Sequence, residues 1–124
     1  MRTLPRTAVW SISIFLAFIF VMVGLSKLEG RSATVWTGRF LRWGYPSGSQ
    51  YVVGVIEMLG GVALLIPRSR RAAAGALMVV MAGALYTHLA HAEFLRVISP
   101  LVLGSLAFLV YSSPRPTHPV SGSI

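Results

Sequence analysis

From Ala8 to Ser26 the chain carries no charged side chain. A helix rising 1.5 Å per residue crosses the bilayer hydrocarbon in about 20 residues, so this segment is long enough to span a membrane alone. Its length exceeds that of a signal-peptide core and no A-x-A site follows it, so it reads as a retained helix despite Arg2 and Arg6 in front. Three more apolar runs follow: Tyr51 to Ile66, Ala72 to Ala90, and Ile98 to Tyr111. A soluble domain carries about 25% charged residues, whereas only 11% of these 124 residues are charged. A chain this short must wet most of its exterior, and this one lacks the polar residues to do so.

The expected fold is therefore all-α: a polytopic membrane protein built as a four-transmembrane-helix bundle, residues 1–112. Its helices are placed at about 8–28, 48–66, 72–90 and 98–112, with a tail at 113–124. Ser47 to Gln50, behind Pro46, are expected to cap the second helix, and Pro67 with Arg68, Arg70 and Arg71 to stop it. Ser99 and Pro100 open the fourth, where proline costs least. The tail is rich in Ser and Pro, has nothing with which to form a core, and is expected to be mobile.

A net charge of +8 could suggest nucleic acid. The basic residues are instead scattered at the ends of apolar runs and form no stripe, which fits topology and excludes a nucleic-acid partner. The tightest cluster, Arg68, Arg70 and Arg71, belongs on the cytoplasmic side, which brings Arg2, Arg6, Arg115 and both termini there. Arg31, Arg39 and Arg42 lie on the opposite side and weaken that bias.

The loop holding these three arginines has its own pattern. Trp36, Phe40 and Trp43 recur at i, i+4 and i+7, one face of a helix, with the arginines expected to point elsewhere. A short interfacial amphipathic helix over 31–44, with its indoles at headgroup depth, is the plain reading, and a lid over the bundle is the functional one. In the first long helix, Phe15, Phe18, Ile19 and Phe20 are expected to face lipid. Gly54, Gly60 and Gly61, with Ala72, Gly75, Ala76, Gly83 and Ala84, offer small faces for close packing.

Ionisable groups in hydrocarbon are costly and usually face the bundle interior. Counting turns places Lys27, Glu57 and His88, from three different helices, at one outer level, with Tyr86, His91, Glu93 and Arg96 nearby. The three can neutralise one another and fix register, or line a small polar pocket with His88 moving a proton, Glu57 orienting it and Lys27 holding an anionic group. His88-x-x-His91 is too sparse for zinc, and His118 in the tail leaves a bis-histidine haem without a suitably opposed pair, so no metal is expected. Aspartate and cysteine are absent, which removes dithiol chemistry and a Ser-His-Asp set.

The segments Gly24-Leu25-Ser26-Lys27-Leu28, Trp43-Gly44-Tyr45-Pro46, Val53 through Gly61 to Pro67-Arg68, and Gly83-Ala84-Leu85-Tyr86-Thr87-His88 together resemble the DoxX-like family. Their order, G-x-x-K-L, G-x-P, E-x-x-G-G, P-R and A-x-x-T-H, carries the resemblance over roughly residues 15 to 112. It implies a compact four-helix membrane protein in which Lys27, Glu57 and His88 are the matching polar positions. Relatives are linked to the small subunit of a thiosulfate:quinone oxidoreductase, to a membrane anchor in an oxidative-stress complex and, more distantly, to receptor-assembly chaperones.

Residues and resemblance together point to a non-catalytic subunit or assembly protein of a larger membrane complex, redox- or quinone-linked, in a bacterial inner membrane. Its expected partners are the lipid bilayer and other membrane subunits. It would hold no cofactor of its own beyond a quinone or lipid. A quinone-binding oxidoreductase subunit using the outer Lys27, Glu57 and His88 pocket is the alternative. A small-solute carrier ranks below it, because neither an internal repeat nor a broken helix is present.

Overall fold

The computed structural model describes residues 4–114. Arg2, Arg115, His118 and nearly all of the expected mobile tail lie outside them. The described residues are all-helical: α1 (Arg6–Ser26), α2 (Gly30–Arg42), α3 (Ser49–Ala63), α4 (Arg70–Ala90), a 3-10 turn (Phe94–Val97) and α5 (Ile98–Ser112). Three apolar stretches are long enough to cross a membrane, namely α1, α4 and the continuous Phe94–Ser112; α3 is apolar but shorter. Most of each long stretch lies on the outside of the molecule. Phe18 of α1, Leu59 of α3, Val79 of α4 and Leu101 of α5 are exposed, as in a protein whose solvent is lipid.

The four longer apolar elements close a ring in which α1 packs on α3, α3 on α4, α4 on α5 and α5 on α1. Leu16, Phe20, Leu64, Leu77, Met81 and Val110 fill the centre. Phe20 is thus core and not lipid-facing. It stands one helical turn from Leu16, on the inward face, whereas Phe15 and Phe18 do face outward.

Glycine sets the α1–α3 distance. A Cβ on Gly54 would stand 2.8 Å from the Gly24 carbonyl oxygen and 3.0 Å from Lys27 Cβ, so the two backbones touch where only hydrogen atoms fit between them. At this contact Lys27 leaves the end of α1 and enters the bundle.

The end of α3 comes earlier than the apolar run does. Pro67 has no N–H to give the Ala63 carbonyl, and the Ser69 hydroxyl donates to it instead at 2.9 Å, while Arg70 Nε donates to the Leu64 carbonyl at 2.8 Å. Those side chains satisfy the last carbonyls and let the chain turn directly into α4. At the other end of α3 the N-cap falls within the expected Ser47–Gln50 stretch, at Gly48, but no side chain caps it: Ser49 Oγ donates to the Pro46 carbonyl, and Gln50 is buried, donating to Thr37 Oγ1 of α2 at 2.7 Å. Gln50 therefore ties α2 to α3 rather than capping a helix.

Candidate functional site

The C-terminal ends of α1 and α4, the start of α5 and the N-terminal half of α3 line a partly open cavity of about 520 Å³ beneath α2. Lys27, Glu57 and His88 all line it. Lys27 Nζ donates to Glu57 Oε1 at 2.6 Å, and both side chains are almost fully buried. Two charges removed from water are tolerable only because each answers the other. His88 is near them but does not join them. Its Nδ1 meets Glu93 Oε1 at 3.0 Å, so Glu93, and not Glu57, orients the imidazole.

Glu93 reaches His88 through the turn that ends α4. Ala92 adopts a left-handed backbone (φ 55°), the Glu93 N–H returns to the His88 carbonyl at 2.8 Å and the Ala92 N–H to that of Leu89 at 3.3 Å. This paired closure is a Schellman motif, normally built with glycine. It folds the Glu93 carboxylate back over the last turn, where Trp43 Nε1 donates to Oε1 and Arg96 Nη1 to Oε2, each at 3.0 Å. One carboxylate thus ties together the end of α2, α4 and the 3-10 turn. An ionised carboxylate only accepts, so the His88 proton sits on Nδ1, and in the neutral ring Nε2 is left as an acceptor.

The roof is aromatic. Phe40 is buried, with Trp36, Trp43 and Tyr45 packed around it at ring separations of 5.3–6.2 Å. The indoles point onto the bundle: Trp36 Nε1 donates to Ser26 Oγ at 3.1 Å, and Trp43 packs edge-on against the His88 ring. Gly44, at φ 86°, closes α2 with the same paired turn, Tyr45 N–H to the Phe40 carbonyl and Gly44 N–H to that of Leu41. Tyr45 is thereby brought over α4. Thr87 donates its only hydroxyl proton to the Gly83 carbonyl, so it is Tyr45 that donates to Thr87 Oγ1, at 2.5 Å.

Arg39 does not point away from the aromatic face. It lies three residues from Trp36, on the same side of the helix, and its guanidinium covers the Trp36 ring at 4.9 Å while lining the cavity. Lys27 Nζ covers the same ring at 4.2 Å. Phe20, Val23, Val53, Val80 and Leu103 make the remaining wall apolar. Two other expected neighbours do not line the cavity, although the His91 ring packs 6.5 Å from that of Trp43. Tyr86 is 71% exposed, a helical step away from the inward Thr87, and His91 Nδ1 is engaged by the Thr87 carbonyl at 2.8 Å. Among the described residues no three His, Cys, Asp or Glu side chains gather as metal ligands.

Removing one member of the Lys27–Glu57 pair should destabilise the bundle by about 3–5 kcal/mol, because the other charge stays buried alone. The double replacement Lys27→Met with Glu57→Met should recover most of that loss. Unfolding by SDS titration checks it, and a double variant no better than either single one would contradict the account.

The His88 hydrogen bond, helped by Trp43 and Arg96 and opposed by partial burial, holds the Glu93 carboxyl below its usual range. A carboxyl held low in the folded state stabilises at pH values above its unfolded pKa and loses that contribution as pH falls through the folded one. Acidification through and below the ordinary carboxylate range should therefore loosen α2. Hydrogen exchange over Gly30–Arg42, corrected for intrinsic rates, should accelerate there, and Glu93→Gln should be loose already at neutral pH. Protection independent of pH in the unaltered chain would refute this.

The model of the DoxX-like family matches residues 11–110. No curated protein and no solved structure matches the chain.

Proposed function

The chain belongs to the DoxX-like family of proteins, and from that footing we propose that it is a non-catalytic subunit of a redox-linked membrane complex that holds a quinone-type ring beneath α2. The observation that carries this reading is the cavity itself. It combines a volume within the range of small-molecule sites, an aromatic roof, an apolar wall and a few hydrogen-bonding groups. Trp36, Phe40 and Trp43 give the cavity an aromatic lining against which a flat ring can pack. The Lys27 ammonium, with one of its three protons on Glu57, has donors to spare for a ring carbonyl. His88, its Nδ1 fixed by Glu93, presents Nε2 as a hydrogen-bonding atom for a ring substituent. A bound quinone would supply the electron-accepting chemistry, and the partner subunit the electrons.

In this reading α1, α3, α4 and α5 all cross a bacterial inner membrane, the shorter α3 reaching the interface through the turns at its ends, and α2 lies over the outer end of the bundle as a lid. Both termini face the cytoplasm, as the Arg68, Arg70 and Arg71 turn directs.

The binding test uses the purified chain in lipid nanodiscs, with Trp10→Phe to remove the indole that packs at the opposite end against Arg70. Decylubiquinone should quench the remaining Trp36 and Trp43 emission saturably, and Trp36→Leu should weaken binding about tenfold, the loss of one stacking partner with its cations. Quenching that rises linearly, as in empty lipid, would overturn the reading. Topology is tested on the cysteine-free background. Ser47→Cys in intact cells should react with an impermeant maleimide, and Arg68→Cys should react only after lysis. The reverse pattern would invert the proposed orientation.

A further inference from the structure

The charges around the cavity do not balance. Lys27 is answered by Glu57, and Arg96 by Glu93, which also holds His88. Arg39 lines the same space, and among the described residues no carboxylate lies within ion-pair distance of it. Its guanidinium instead shares the Trp36 indole with the Lys27 ammonium, one cation 4.9 Å and the other 4.2 Å from the ring centre. Two cations gathered on one ring, of which Glu57 answers only Lys27, leave a net positive charge at the wall of a largely apolar cavity. In such surroundings a charge–charge interaction is screened far less than in water.

A neutral carbonyl placed there gains a hydrogen bond. An anion placed there gains the hydrogen bond and the missing countercharge as well, and charge-assisted bonds are about twice as strong as neutral ones. The aromatic roof favours a flat ligand over a flexible chain. We infer that the cavity selects a ring-bearing anion, an aromatic or quinonoid ring conjugated to an ionised hydroxyl or carboxyl, whose charge is received by Arg39 and Lys27 while its ring lies under Trp36 and Phe40. This rests on the cavity being the ligand site proposed above, and it specifies the charge of what binds there.

The test compares 2-hydroxy-1,4-naphthoquinone, which is ionised at neutral pH, with the neutral 1,4-naphthoquinone and with dodecanoate, an anion without a ring. Binding to the full chain in zwitterionic nanodiscs is measured by equilibrium dialysis at pH 7, with empty nanodiscs as the blank. The hydroxynaphthoquinone should bind about tenfold more tightly than either comparator, a difference of about 1.4 kcal/mol. Arg39→Gln should bring the ratio of the two naphthoquinone affinities close to one, and Arg39→Lys should restore part of it. Equal affinity for the two naphthoquinones overturns the inference and leaves the ligand site standing, as does a ratio unchanged in Arg39→Gln. Dodecanoate binding as tightly as the hydroxynaphthoquinone overturns the requirement for a ring. Failure of both naphthoquinones to bind overturns the quinone reading and this inference together.

Discussion

The buried contact between Lys27 and Glu57 is the constraint around which the molecule is arranged. A lysine and a glutamate enclosed by apolar helices persist only in mutual contact, since either alone would carry an uncompensated charge in a medium unable to solvate it. The contact demands that α1 and α3 lie close and in one register, and the Gly24–Gly54 approach permits it. Because Lys27 is also where α1 ends, the same contact fixes the point from which α2 departs, and so where the aromatic roof comes down. Helix register, cavity wall and roof position all follow from one ion pair.

The second organising group is the Glu93 carboxylate. It lies outside the long helices, yet it receives donors from Trp43, His88 and Arg96 and so joins three separate elements. Lys27 and Glu57 hold one side of the chamber, where Lys27 also lies against the Trp36 ring of α2, whereas Glu93 holds the other side through its hydrogen bond from Trp43 at the end of α2. The roof is therefore attached mainly by polar contacts, through Glu93, Tyr45, Gln50 and Trp36, to a bundle that is held together mainly by apolar packing.

Much of this was legible in the sequence because a bilayer imposes simple rules. Apolar runs of spanning length, and bases at their ends, follow from the cost of exposing backbone and charge to lipid. Counting turns was enough to set Lys27, Glu57 and His88 at one level, since depth along a helix is linear in residue number. The sideways arrangement was not legible. The partner of His88 depends on a left-handed turn at Ala92, a residue that does not advertise one. Phe20 looked like its lipid-facing neighbours because aromatic and aliphatic residues occur on both faces of a helix in lipid. Arg39 was expected to point away from the aromatic face, but a long side chain three residues from Trp36 can reach over the ring. The early end of α3 turned on a hydroxyl, Ser69, taking over a carbonyl that Pro67 could not serve.

The left-handed turns that close α2 and α4, at Gly44 and at Ala92, place the fasteners of the roof just beyond the ends of those helices. Tyr45 and Glu93 hang from these closing turns, so releasing either would break its own bond to the Phe40 or His88 carbonyl and leave the i to i−4 bonds inside α2 and α4 made. For the lid proposed above, opening would work as a clasp does, at the ends of the helices and without unwinding turns whose hydrogen bonds the bilayer would be unable to replace.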